Sequence, residues 1–539
     1  MTSRRIPGAA LAVLSVVTLV AALAVFGTDR PQARAGTYVI NGPYATLLDT
    51  ADDLGPSRGG RVQLTAALRA ASRPVELDRW AGANGLSLRW RDGDAWAVIE
   101  GNPTSVSAAF GVAVHDYRAR SGPQAGRVFY ASPQQPAVPS AARAEVTGLG
   151  RILSHLPYRV AIPPTLPRDV PDGGLLPSQL LSAYNVDPLT DQGFTGKGAT
   201  VVVFAFDGFD QADMDSFSEL FDVPPISIEV MGGMPEQRSG EATMDLQVIH
   251  AIAPDAKLVL VNSRPTVEGG GGFEKLAQLM ESVDREHPGA IWSFSIGWGC
   301  DRLFTAADLA PVRAALTKAL RNGTTAFDAA GNLAGLECRG GQNWSDPPSP
   351  DDVGVDAVAS IPEMTSVGGT RLSTDADGRW LAEQSWYDVP LTQGSAGGVS
   401  GLYSRPPWQI VDSAAGPPER RLVPDVAAVA DPFTGVKFVF EGQVLVGGGT
   451  SQAAPIWAGL TAIINGKLTA VGQAPLGYAN PLLYRLARSS VVPGFRDIRL
   501  GGNAITPTGR EGYDMATGLG SPNVENLVKA ILLTRTVSR

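Results

Sequence analysis

The chain has little cysteine, little histidine and no excess of basic charge: across 539 residues there are two cysteines, four histidines and a formal net charge of −9. An acidic balance offers no electrostatic footprint for nucleic acid or for an anionic membrane surface, so neither is the main partner. Two cysteines, Cys300 and Cys338, are too few for the usual zinc or redox spacings. In an exported protein such a pair reads as a disulfide, with two buried thiols as the other reading. Charged residues make up 18% and apolar residues 44%, a globular composition with enough length for a large core and more than one domain.

Arg4 and Arg5 precede an uncharged run from Ile6 to Thr28, and Ala33-Arg34-Ala35 follows as a small-x-small cleavage site. Residues 1–35 therefore read as a signal peptide or as an N-terminal membrane anchor. The basic start and the cleavage site fit the first, but the run exceeds an h-region of about 7–15 residues and approaches the roughly 20 needed to span a bilayer. Both readings export the rest of the chain, which is expected to be extracellular or on the cell surface.

Residues 36–160 read as a small α/β unit. Thr65 to Ala71 and Glu76 to Ala83 have helical character, Ala95 to Glu100 alternates as a strand, and Pro103 to Phe110 reads as a capped helix. Residues 161–178, with Pro163, Pro164, Pro167, Pro171, Gly173 and Gly174, predict an exposed linker and a natural cleavage site. In residues 179–539, strands alternate with helices. Strands are expected at Ala199–Phe206, Leu258–Val261, Ala290–Ser295, Thr324–Phe327 and Ala357–Ala359, and helices at Gly240–Ala253, Pro311–Arg321 and Ser451–Ile464. That alternation predicts an α/β fold with a doubly wound, mostly parallel sheet and flanking helices, whose ligands bind beyond the carboxyl ends of the strands.

Two stretches carry chemistry. Gly447-Gly448-Gly449-Thr450-Ser451 turns from a strand end at Val444–Val446 into an apolar helix expected to close at Gly466. This places the Ser451 hydroxyl among unpaired N–H groups that favour developing negative charge. Pro455 lacks the N–H that would bond the Ser451 carbonyl, which predicts a helix start at the serine. The same residues would also serve as an ordinary N-cap. A serine nucleophile needs a base. Glu241 and Asp245 stand at i and i+4, on one helical face. Repulsion between them raises a pKa and lets the pair keep one proton. Acidic residues in a first turn are otherwise explained by the helix dipole. His250 shares that helix but points about 180° away from Glu241 and about 140° from Asp245, so it reads as structural.

Taken together, Gly448-Gly449-Thr450-Ser451-x-x-x-Pro455, Glu241-x-x-x-Asp245 and Ser293-Phe294-Ser295-Ile296-Gly297 resemble the sedolisins, the acid-acting relatives of subtilisin-like serine peptidases. Ser366-Val367-Gly368-Gly369-Thr370, Gly397-Gly398-Val399-Ser400 and Val423-Pro424-Asp425-Val426 follow in that family's order. No histidine shows the His-Gly-Thr-His pattern of subtilisins. Asn102 to Gly111, Phe129 to Ala131 and Pro136 to Ile152 are similar to a kumamolisin-type activation prodomain, in that family a ferredoxin-like α+β fold that assists folding and blocks the cleft. The resemblance implies a subtilisin-like peptidase domain acting on protein or peptide substrates, with Ser451 as nucleophile, Glu241 as base and Asp245 supporting it. Ser293, Ser295 and Gly297 would line the substrate cleft. It also implies one calcium ion, held by the side chains of Asp497 and Asp514 and the carbonyls of Ile498, Arg510 and Gly512. Without the resemblance those aspartates read as turn formers. A monomer is expected.

The chain departs from the family at two places. Ala205 stands where many relatives carry a further glutamate. Asn332, in Ala330-Gly331-Asn332, stands where sedolisins carry the oxyanion aspartate, and Asp328 is four residues too early to replace it. Three functions follow: an exported serine-carboxyl endopeptidase made as a zymogen, a tripeptidyl exopeptidase of the same family, or a non-catalytic surface protein that keeps the fold for binding.

Overall fold

Strand and helix periodicities divide the chain into two parts: the sheet of the first has an apolar cluster of its own, while Tyr44, Tyr117 and Phe129 share a buried cluster with Phe204 and Trp292 of the second. The computed structural model describes residues 37–160, 173–339, 348–388 and 393–537. The expected signal or anchor and residues 161–172 of the expected linker lie outside them. No helix among the described residues is long and apolar enough to cross a membrane.

In the N-terminal part, strands β1 (Val62–Leu68), β2 (Ser87–Arg89), β3 (Trp96–Gly101) and β4 (Val146–Leu149) form an antiparallel sheet in the order β2-β3-β1-β4. Helices α1 (Val75–Ala83) and α2 (Pro103–Phe110) complete a β-α-β-β-α-β unit, which is the split βαβ order of a ferredoxin-like unit. Asn102 caps α2 by accepting the Ser105 N–H at 2.8 Å, and Pro103 sits at N1 where its missing N–H costs nothing. Residues 65–68 of the expected helix at Thr65–Ala71 belong to β1 instead. Val62, Leu64, Ala66 and Leu68 alternate into the core, and that two-residue period outweighs the helix propensity of the alanines.

The larger part holds an eight-stranded sheet built on β6 (Thr200–Ala205), β7 (Ile228–Met231), β8 (Lys257–Asn262), β9 (Ile291–Phe294), β11 (Thr325–Ala329), β12 (Thr365–Thr374), β13 (Trp380–Ser385) and β14 (Val426–Val429). The order is β7-β8-β6-β9-β11-β12-β13, with β14 also paired to β12. All pairings are parallel except that of β13. Chain order reverses at β6, so the crevice beyond the ends of β6 and β9 is the expected ligand position. Val201, Val203 and Ala205 face one layer of helices, α3 (Glu241–Ile252) and α6 (Thr450–Ala470). Val202, Phe204 and Phe206 face the other, α4 (Gly272–Glu286) and α5 (Ala310–Arg321).

Two further expectations change. Ala357–Ala359 forms turns, because the Asp356 carboxylate accepts the N–H groups of Val358 and Ala359 at 2.9 and 3.1 Å and closes the chain on itself. The helix expected to end at Gly466 runs to Ala470, since packing on both sides holds a mid-helix glycine in place. Val444–Val446 lies in a two-stranded hairpin, outside the main sheet.

The parts meet along α4, where Arg89 reaches both Glu274 oxygens at 2.6 and 2.8 Å and Arg91 does the same to Glu281. Beyond β4 the chain adds a short strand, β5 (Arg159–Val160), antiparallel to β10 (Ile296–Gly297).

Candidate active site

Helix α3 is buried on every side and packs tightly on α6, where a Cβ added at Gly459 would lie 3.1 Å from Ile252 Cβ. Its first turn presents Glu241 and its second Asp245, 3% and 0% exposed. Burial raises both carboxyls well above their usual range. Asp245 and Asp207 raise Glu241 further, and Asp207 raises Asp245. The Ser451 hydroxyl is close enough to offset part of the effect on Glu241, and the Ser295 hydroxyl does so for Asp245. None of the four carboxylate oxygens has a hydrogen bond of ordinary geometry among the described residues. Burial and mutual repulsion act in the same direction, so the two titrate as a coupled pair that favours holding a proton.

Ser451 enters from the facing helix. Gly449, with φ 82°, turns the chain into α6, which begins at Thr450. A side chain at Gly449 would be strained by that φ and would bring Cβ 2.8 Å from Asn332 Nδ2. Thr450 donates its N–H and its hydroxyl to Asn332 Oδ1 at 2.8 and 2.9 Å and accepts the Gly331 N–H at 3.0 Å. These bonds commit Oδ1 and leave the amide Nδ2 beside Gly449 at the helix entry. A donor group just past β11 and the N-terminal N–H groups of α6 thus lie side by side.

Pro455 lies in the second turn of α6 rather than the first, so the Ser451 carbonyl loses its helical partner. Ser295 Oγ donates to that carbonyl at 3.0 Å, which satisfies it and ties the end of β9 to the Ser451 backbone. Ser295 spends its one hydroxyl hydrogen on the helix backbone, and Ser293 is fully buried inside β9. Just beyond them, Gly297 and Ile296 of β10 pair with Arg159 and Val160. His250 bonds the Pro224 carbonyl at 2.7 Å, as its structural reading requires.

Asp328 points to the opposite face of the sheet, in register with Phe294 and Ser366. Its two oxygens have no partner among the described residues, and burial with nearby Asp356 raises it well above the usual range. Burial likewise pushes Asp356 up to about 7 and Asp301 to about 6. Because the folded state holds these protons more tightly than the unfolded chain, their contribution to stability is greatest in acid and falls as pH rises from about 4 towards 7. Asp328→Asn is expected to raise the melting temperature at pH 7 and to leave it nearly unchanged at pH 4. Equal shifts in thermal melts at both pH values would disprove this.

Cys300 and Cys338 lie at disulfide distance, with Cα atoms 4.7 Å apart. They lie beside Asp301, but disulfide sulfurs are not thiolates, so this cluster is no metal site. The expected calcium residues come from two adjoining segments. Asp497 Oδ1 accepts the Gly512 N–H at 3.1 Å, and its Oδ2 pairs with Arg499 at 2.7 Å. A Cβ at Gly509 would fall 2.9 Å from the Ile498 carbonyl, so the second segment lies directly against that oxygen. Asp514 accepts the N–H groups of Ala516 and Thr517 with Oδ1, while the Arg510 side chain turns away to the Ala414 carbonyl. Carboxylates and carbonyls in two adjoining loops are a donor set that suits calcium.

Two residues that shape the site are not evident from sequence. Thr450 reads as a cap, yet it orients Asn332. Asp207 follows a strand in an ordinary Asp-Gly pair, yet it reaches the first turn of α3.

No protein-family model matches the chain. Kumamolisin of Bacillus sp. (strain MN-32) is 31% identical over 508 residues, covering 88% of this chain and 86% of that protein. Tripeptidyl-peptidase 1 of Dictyostelium discoideum is 28% identical over 67% of this chain and 59% of its own length. Among solved structures, Pseudomonas sedolisin, a serine-carboxyl proteinase complexed with two molecules of pseudo-iodotyrostatin, aligns with a TM-score of 0.56 and 24% identity. The match covers 67% of this chain and 98% of that one, and shows the subtilisin-like fold. Similarity at this level across nearly the whole of kumamolisin shows that the chain belongs to the sedolisin family of serine-carboxyl peptidases.

Proposed function

We propose that the chain is an exported serine-carboxyl endopeptidase made as a zymogen. The observation that carries the reading is the convergence of Ser451, the proton-sharing Glu241/Asp245 pair and the oriented Asn332 amide at one helix entry. In this mechanism Ser451 Oγ attacks the peptide carbonyl as its proton passes to Glu241. Asn332 Nδ2 and the N-terminal N–H groups of α6 hold the oxyanion. The proton on Glu241 then goes to the leaving amine, which gives an acyl-enzyme that water hydrolyses by the same steps. Asp245 keeps the pair's remaining proton.

The zymogen reading is supported by β5, the last described strand of the N-terminal unit, which is added to the cleft strand β10 as an extended peptide would be. In this reading residues 36–160 are a prodomain that inhibits its own enzyme, and cleavage falls in 161–178. Relatives named tripeptidyl-peptidase keep the exopeptidase reading as the alternative. The test is labelling of Ser451 by a fluorophosphonate, with hydrolysis of an amino-blocked, internally quenched peptide measured beside that of a free-amino tripeptide substrate. Labelling with cleavage of the blocked peptide supports an endopeptidase; no labelling ends the serine-peptidase reading.

Asp497, Asp514 and the carbonyls of Ile498, Arg510 and Gly512 are proposed to hold one calcium ion, whose chemistry is to tie the two loops together. Calcium is expected to raise the melting temperature, and Asp514→Ala to cancel the rise. Melts that coincide in calcium and in chelator would remove the site.

A further inference from the structure

The family glutamate missing at Ala205 leaves the base pair without a neighbour at the end of β6, but another carboxylate reaches it. Asp207, 1% exposed, accepts the N–H and hydroxyl of Ser239 with Oδ2 at 3.0 and 2.6 Å and the Ala242 N–H with Oδ1 at 3.1 Å. Burial raises the Asp207 carboxyl above its ordinary value, and its bonds from Ser239, Ala242 and the Glu241 N–H offset part of that rise. Helix α3 needs these bonds: it starts at Gly240, φ 92°, with no side-chain cap of its own, and its first-turn N–H groups would otherwise be buried without partners. These N–H and hydroxyl donors, together with the positive end of the helix dipole, stabilise a negative charge on Asp207.

We infer that Asp207 is a positioning residue for the catalytic pair: its carboxylate caps the helix that carries Glu241 and Asp245 and sets a third acidic group against them. The charges acting on Glu241 are those of Asp245 and Asp207. The remaining ionisable groups around α3 are occupied elsewhere or distant. In the helix Gln211–Phe221, Asp213 accepts the N–H groups of Glu441 and Gly442, Asp215 bonds Gln211, and Glu219 is exposed. Lys257 of β8 pairs with Glu229, Lys467 lies at the far end of α6 beside Gln192, His250 is held by Pro224, and Lys437 opens the strand Lys437–Phe440.

The inference rests on Glu241 as the base, which Glu241→Gln decides separately through loss of activity. Asp207 is tested by Asp207→Asn and Asp207→Ser in the full chain, allowed to mature as wild type does. Both retain an oxygen that can cap α3 but remove the charge. The readouts are kcat/KM on one peptide and the rate of fluorophosphonate labelling of Ser451, each against pH, with a thermal melt for each variant. Both variants are expected to fold and to move the acid limb of both profiles down by about 1 pH unit. A purely structural cap would lower the melting temperature or the amplitude and leave the limb in place, and that outcome overturns the inference. Failure of both variants to fold overturns it too, because the capping role is assigned to any neutral acceptor.

Discussion

Ser451→Ala is expected to fold normally and to lose peptide hydrolysis by on the order of 10⁴–10⁶ in kcat, as removal of a nucleophile does when the rest of the site acts only through it. Ser451 stands at the second position of α6, where alanine is a good helix former. The change removes one hydroxyl and leaves intact both the carbonyl bonded by Ser295 and the Thr450–Asn332 clasp. Glu241→Gln is expected to be equally inactive but more stable than wild type at neutral pH. The glutamate is buried beside Asp245 and Asp207, with no hydrogen bond of ordinary geometry to its oxygens, so an uncharged isostere relieves repulsion that the native site retains for its chemistry. The pair of results separates catalytic from structural roles. Loss of activity with unchanged or raised melting temperature is a catalytic effect, whereas loss of both is not. If maturation is autocatalytic, both variants should also keep the N-terminal unit attached, read as chain mass on a gel. Wild-type turnover in Ser451→Ala would refute the assignment.

What was legible in the sequence follows from how local each signal is. Asn102-Pro103 announces α2, and the apolar β-branched run at 200–205 announces a buried parallel strand, because cap chemistry and period act within a few residues. Glu241 and Asp245 could be placed on one face from the helical period alone. The contacts that finish the site join residues far apart in the chain. Asp207 meets the first turn of α3 across 35 residues, and Ser295 meets the Ser451 carbonyl across 156. Neither carries a local signature. The Ser-x-Ser-x-Gly pattern likewise gives no sign that the Ser295 hydroxyl bonds the backbone of α6. Pro455 was the one local sign of the Ser295 bond: it removes a helical partner from the Ser451 carbonyl, and a buried carbonyl must find another.

The largest effect expected away from the nucleophile and base concerns Asn332. Asn332→Ala should cost about 10²–10³ in kcat if one oxyanion donor is lost. Its pH dependence is more discriminating. Thr450 engages Oδ1 through both its N–H and its hydroxyl, so only Nδ2 is left to donate, and an amide donates at any pH. An aspartate in the same clasp would accept from Thr450 with one oxygen and could donate with the other only while protonated. Glu241 must be ionised to act as base, and burial with two carboxylate neighbours holds its pKa above the usual range. Activity should therefore rise as the Glu241/Asp245 pair ionises and remain high towards neutrality. Asn332→Asp should add a descending limb and move the optimum to lower pH, with the clasp to Thr450 kept. The measurement is kcat against pH for wild type, Asn332→Asp and Asn332→Ala on one peptide, each checked for folding across the range. Wild type and Asn332→Asp falling together above mildly acid pH would mean that the donor does not set the range. An Asn332→Ala profile that coincides with wild type would mean that the amide is not in the oxyanion hole.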